Sequence, residues 1–304
     1  MHIPHSKKYY RLIEKILKKL ILFFKSTKNQ KLRRTALSAI YKTHEKEKFL
    51  LKIQENENFI VYCKELASKE IFINGSCDFL KFEKTVSIIK KFNELNTLVN
   101  VGANIGSIAI PALSRQFFKE AILIEPEQQN FRILMVNVYL NELEKRITAH
   151  NIALTDKDNS QLHLELNKVR NFGDHRIVNG PIGSDTLNEK SIRVVKGETL
   201  DKIAPNLKRE NCLIFMDAQG HEGFILKGAK QTIEKKIPMV LEFTPRWIKE
   251  NGSYDYFKLL LCYSVVYDLS EAKPTPIEFN EVVLKNLFDK YYQSTSLETD
   301  LLFI

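Results

Sequence analysis

From Thr97 onward, short apolar runs and amphipathic stretches take turns, and few folds accommodate such an alternation. "TLVNVG" reads as a strand and "GSIAIPALSRQFF" as a helix with a proline in its first turns. "EAILIEP" is a strand, "EQQNFRILMVNVYLNEL" an amphipathic helix, and "ITAHNIAL" a third strand. After an irregular insertion come "NCLIFMD" (strand), "HEGFILKGAKQTIEKK" (helix) and "PMVLEFT" (strand). "YFKLLLCYSVVYDL" gives a helix running into a strand, and the apolar "LETDLLFI" ends the chain. Strands separated by helices of this length form parallel βαβ units, so the sheet is covered on both faces.

Upstream the character differs. "NFIVYC" and "EIFING" are expected to be short strands, the second closed by Asn74-Gly75, and "CDFLKFEKTVSIIKKFNEL" a helix ending near Asn93. The chain carries a net charge of +9, but residues 1–52 hold 15 Lys/Arg against 3 Glu. The remaining 31 Lys/Arg face 34 Asp/Glu, so residues 53–304 are slightly acidic. The excess sits in an arm, which argues against a basic groove built into the fold. We divide the chain into a basic helical arm, 1–56, and a main domain, 57–304. In the arm, Ile13, Ile16, Leu17, Leu20 and Phe24 recur at helical spacing among Arg11, Lys15, Lys18 and Lys19. Residues 7–25 suit a helix lying on an anionic membrane surface, or one capping the domain or a second copy of the chain. The basic helical pattern continues from Lys28 to Lys52. No run spans a bilayer or resembles a signal peptide, so a cytoplasmic protein is expected, with peripheral contact at the inner membrane face as one option. Four scattered cysteines, Cys63, Cys77, Cys212 and Cys262, read as reduced thiols.

The end of the first alternating strand is built of small residues: Gly102, Ala103, Asn104 and Gly106. In parallel sheets ligands bind beyond the carboxyl ends of the strands, and small residues let backbone approach a ligand. The next strand ends at Glu125, placed to accept hydrogen bonds from both hydroxyls of a ribose. A dinucleotide site wants G-x-G-x-x-G; here the spacing is G-x-x-x-G, without the middle glycine that admits a pyrophosphate. The loop suits a nucleoside carrying an amino-acid tail better than one carrying phosphates.

"VNVGANIGSIAI", "LIEPEQQNFRIL", "NIALTD", "TLDKI", "FMDAQGHEGFILKGA" and "VLEFTP" follow in the order of the FkbM-like S-adenosylmethionine-dependent methyltransferases, which the chain resembles from about Ile71 to Ile304. The resemblance implies a Rossmann-like class I methyltransferase: a seven-stranded, mostly parallel sheet with an antiparallel last strand. It implies S-adenosylmethionine as cofactor, with Gly102, Ala103, Asn104 and Gly106 in its loop, Glu125 on the ribose, and Asn151, Ala153 and Leu154 near the adenine. Asn100 stands where the family usually has an acid; its amide oxygen can still accept a bond from the cofactor's ammonium. The acceptor implied is a hydroxyl of a sugar, glycan or related metabolite. The alternatives are a nucleic-acid methyltransferase tethered by the basic arm, or a cofactor-binding protein without catalysis.

Methyl transfer to a hydroxyl needs in-line approach and a group to take the proton. Asp217, at a strand's crevice end, Glu222 just beyond it, and His175, in the "DHR" triplet of the insertion, are the catalytic candidates. Glu222 and Asp217 also suit a helix N-terminus, where they would only cap. Glu242 is a third acid at a strand end, His221 is expected to point elsewhere, and Trp247 either lines the acceptor pocket or packs. No metal site is assigned, because Asp174, His175, Asp217, His221 and Glu222 lack the i, i+4 spacing of a helical zinc site.

Overall fold

The computed structural model describes residues 30–44, 47–63, 65–90, 94–167, 173–178, 192–294 and 298–304. In chain order its strands are β1 (Phe49–Ile53), β2 (Asn58–Tyr62), β3 (Thr97–Val101), β4 (Glu120–Ile124), β5 (Ile147–His150), β6 (Ala153–Leu154) and β7 (Ser160–Glu165). There follow β8 (Arg176–Val178), β9 (Ile192–Glu198), β10 (Cys212–Met216), β11 (Met239–Phe243), β12 (Val265–Asp268), β13 (Ile277–Glu278) and β14 (Thr299–Phe303).

The main sheet runs in the order β13-β12-β14-β11-β10-β3-β4-β5. β11, β10, β3, β4 and β5 are parallel neighbours, while β14 pairs antiparallel with both β11 and β12. The seven expected strands and the reversed last strand are therefore present, and the two-residue β13 adds an edge. Every residue of β3, β10, β11 and β14 is buried. Successive side chains alternate between two cores: Leu98, Leu213, Phe215, Val240 and Leu302 on one face, Val99, Val101, Ile214, Met216, Leu241 and Phe303 on the other. Each such side chain contributes roughly 1.5–3 kcal/mol by leaving water, which explains why these strands read as continuous apolar runs.

The reversal of β14 brings its beginning to the crevice side of the sheet. Its register sets Asp300 opposite Glu242. The insertion between β5 and β10 builds a second sheet, β6-β9-β7-β8, with Ala153, Leu164 and Ile177 as its small core.

Several local expectations change. "EIFING" belongs to a helix, Leu66–Asn74. Asn74-Gly75 is not a hairpin turn there but a helix stop: Gly75 takes φ +88 and its N–H donates to the Ile71 carbonyl. The helical pattern of Lys28–Lys52 holds over Gln30–Thr43 and then gives way to β1, which pairs antiparallel with β2. The 56/57 division falls in the turn of that hairpin, and Tyr41 Oη donates to the Tyr62 carbonyl at 2.7 Å from the other side. "HEGFILKGAKQTIEKK" is two helices, Glu222–Lys227 and Lys230–Glu234. At the break, a Cβ on Gly228 would lie 2.1 Å from the Thr155 carbonyl oxygen. The segment before β12 is a 3₁₀ helix, Tyr254–Cys262. Residues 7–25 lie outside the described residues. Among the described residues no helix is long and apolar enough to cross a membrane, and all four cysteines are free thiols.

Candidate active site

The carboxyl ends of β3, β4, β10 and β11 open into a cavity of about 420 Å³. One end of it is backbone. Gly102 takes φ +76, and a Cβ there would sit 1.9 Å from the carbonyl oxygen of Asp217. The glycine is thus required by the neighbouring strand end as much as by any ligand. Asn104, at φ +49, turns its N–H to Glu125 Oε2 at 2.8 Å, and the Glu127 N–H donates to Glu125 Oε1 at 2.8 Å. Burial pushes the Glu125 carboxyl up to about 7, and those two backbone bonds pull the other way.

The amide oxygens of Asn100 and Asn104 are buried without a hydrogen-bond partner among the described residues, and both residues line the cavity. A buried acceptor left unpaired costs about 1–3 kcal/mol, so a ligand bearing N–H or O–H groups fits here. Glu125 and Ala153 also line the space.

Three of the proposed cofactor residues do not. Ala103 is packed into the core, and Gly106 turns at φ +95 against Ile110 and Leu134. Neither residue is part of the cavity wall, so both shape the loop from behind. Asn151 is the third: its amide nitrogen donates to the Glu125 carbonyl at 2.8 Å and the Pro126 carbonyl at 3.1 Å, bracing the β4 end beside the cavity.

The opposite end is acidic. Asp217 is exposed to the cavity, yet protein surrounds that cavity, and burial pushes its carboxyl up to about 6. Glu222, fully buried, accepts the Ala218 N–H on Oε1 at 2.7 Å, while Oε2 has no partner among the described residues. It does not line the cavity, and this corrects its place among the catalytic candidates: it stands behind Asp217 and holds the loop. Burial raises Glu222, and burial with the Asp217 charge raises Glu242 well above the ordinary carboxylate range. Asp217, Glu222 and Glu242 bring carboxylate oxygens within 4.8 Å of one another. Gln219 Nε2 donates to Asp217 Oδ1 at 2.7 Å and faces both oxygens of Glu242 at 3.3 Å.

His175 lines the cavity, as expected, but its chemistry is different. Nδ1 accepts the Asn167 N–H at 3.0 Å, and burial lowers the ring to about 4. The neutral ring therefore carries its proton on Nε2 and has no lone pair left to take another. A base role for His175 is corrected on that ground. His221, expected to point away, lines the cavity, its Nδ1 buried and without a partner among the described residues. Burial lowers it too, to about 4. Trp247 lines the cavity, and Arg176, held by Asp174 at 2.9 Å, lies 3.5 Å over its ring. Gly220 makes room for that ring: a Cβ would meet Trp247 Cβ at 2.6 Å. Asp78, Lys81, Glu298 and Asp300 also line the space, and no motif in the sequence marks them.

The profile of the methyltransferase FkbM domain matches residues 100–271. No curated protein sequence matches the chain significantly. Among solved structures, the methyltransferase FkbM of Methylobacillus flagellatus is 14% identical with a TM-score of 0.43, over 90% of this chain and 59% of that one. TYW2 of M. jannaschii, crystallised with AdoMet, is 13% identical with a TM-score of 0.37, over 84% of this chain and 85% of that one. The B. subtilis tRNA methyltransferase TrmK is 11% identical with a TM-score of 0.36, over 73% and 64%.

Proposed function

The chain belongs to the FkbM family of methyltransferases, and from that premise we propose that it moves a methyl group from S-adenosylmethionine to a hydroxyl of a sugar or related hydroxylated metabolite. The observation that carries the acceptor class is the charge of the cavity wall. Asp78, Asp217, Glu298 and Asp300 line it, while Lys81 is already paired with Asp300 at 2.8 Å and Arg176 with Asp174 at 2.9 Å. Such a wall repels a phosphate chain and suits neutral hydroxyls, which need acceptors for their O–H groups. It speaks against a nucleic acid in this cavity.

The residues fit the cofactor. Asn100 and Asn104 would take its amino-acid tail or ribose edge on their unpaired amide oxygens, and Glu125 its ribose hydroxyls. When bound, S-adenosylmethionine supplies an electrophilic methyl on a sulfonium. Asp217 then takes the acceptor's hydroxyl proton as that oxygen attacks, and His175 can donate from Nε2 to the acceptor. Neither role needs His175 as a base.

Methyl-labelled S-adenosylmethionine offered with neutral glycosides, sugar phosphates and RNA tests the reading. Label is expected on a neutral glycoside; label on RNA or a sugar phosphate alone overturns the acceptor class. Asp217→Asn should keep S-adenosylhomocysteine affinity while turnover falls about 10²–10⁴-fold. Full turnover by that variant removes Asp217 as the base.

A further inference from the structure

Three carboxyl groups crowd one end of the cavity with no ion pair to Lys or Arg among the described residues. Asp217 comes from the end of β10, Glu222 from the helix that follows it, and Glu242 from β11. The other charged groups facing them are Asp300 and Glu298 on and before β14, Asp78 and Lys81 at the start of the helix Phe79–Ile89, and Glu125 at the end of β4. Lys81 spends its charge on Asp300 at 2.8 Å and sits 3.8 Å from Asp78. Like charges within 4.8 Å in a buried site do not all stay ionised. Either protons or a cation must resolve the crowding, and one amide, that of Gln219, already points between Asp217 and Glu242.

The two outer acids are not equivalent. Glu242 is 9% exposed, whereas Asp217 opens to the cavity. Carboxylate oxygens of Glu242 and Asp217 lie within 4.8 Å of each other, and a proton held on Glu242 and turned toward Asp217 favours the Asp217 anion. A neutral glutamic acid can donate one such bond; a glutamate can donate none.

We propose that Glu242 keeps its proton at neutral pH and donates it to Asp217, making Glu242 the positioning residue that holds the Asp217 carboxylate ionised and turned to the cavity. This rests on Asp217 acting as the base. It gives Glu242 a task that a buried acid has no other reason to perform, and it makes the pair a one-proton, one-charge unit.

The test is carbon-13 NMR of the full chain labelled at Asp and Glu carboxyl carbons, titrated with pH. It needs no acceptor, so its failure is separable from failure of the turnover reading. The wild-type Glu242 resonance, identified by its loss in Glu242→Gln, is expected at the shift of a protonated acid at pH 7. A carboxylate shift there overturns the proposal. Glu242→Ala removes the donated bond and should make Asp217 a roughly three- to tenfold weaker acid, while Glu242→Gln, which still donates, leaves its midpoint nearly in place. If both variants make Asp217 a stronger acid, Glu242 carried charge and the proposal is wrong. Millimolar MgCl₂ or MnCl₂ should leave both resonances unmoved; a joint shift of Asp217 and Glu242 assigns the cluster to a cation instead. Should Glu242→Ala fail to fold, the wild-type resonance alone decides.

Discussion

The cavity has two ends made in different ways. At the β3–β4 end the contacts come from backbone and short amides: Gly102 against the Asp217 carbonyl, the Asn104 and Glu127 N–H groups on Glu125, and the orphan oxygens of Asn100 and Asn104. At the β10–β11 end they come from acidic side chains on several separate elements. Backbone sites leave little tolerance, because the atoms that matter cannot swing aside. Side-chain sites can adjust geometry, but the charges must be balanced by protons. The first end is rigid and the second is electrostatically poised.

Three substitutions probe that contrast. Gly102→Val is the most severe: its Cβ would lie 1.9 Å from a backbone oxygen, at a φ of +76 that a branched residue rarely adopts. It should abolish S-adenosylhomocysteine binding by calorimetry and lower the melting temperature together. Binding at wild-type strength would show that the loop has slack, and the contrast between the two ends would fail. Glu125→Ala leaves two backbone N–H groups without acceptors and removes both oxygens proposed to hold the ribose. S-adenosylmethionine binding should weaken by about 1.5–3 kcal/mol; unchanged affinity removes Glu125 from the site.

Glu222→Gln is the mildest and tests the acidic end. A carboxyl raised by burial binds more protons folded than unfolded, so its stabilising contribution is complete below the ordinary carboxylate value and is lost as pH rises through the folded one, about 8. Wild-type stability should therefore decline between about pH 5 and pH 8. The variant, unable to ionise, should decline less across that window. Parallel wild-type and variant curves in denaturant titrations would mean Glu222 is not among the raised groups.

The same contrast governs what could be read from sequence. The β3 loop was legible because steric demand falls on consecutive residues, and Gly102-Ala103-Asn104 writes that demand locally. Even so, the reason was only half visible: the partner of Gly102 is Asp217, 115 residues later, and not a ligand alone. The strands were legible because burial on two faces leaves an unbroken apolar run. Asp300 was not, since nothing near it announces that antiparallel pairing sets it against Glu242. Asn74-Gly75 misled because the same left-handed glycine ends a helix as readily as it turns a hairpin. His175 misled for another reason: residue type suggested a titrating base, and a single backbone N–H on Nδ1 decides otherwise.

The contact between Gly102 and the carbonyl of Asp217 bears on how this scaffold can be re-engineered. The loop that would receive the methyl donor rests directly on the main chain of the residue that would receive the proton. A donor loop grafted from another protein would arrive without the matching β10 end and would push Asp217 off its place by the thickness of any added methyl. Transplants should therefore carry Val99–Gly106 and Phe215–Glu222 as a single cassette, while the lining from Asp78, Lys81 and Glu298 can be exchanged piecemeal.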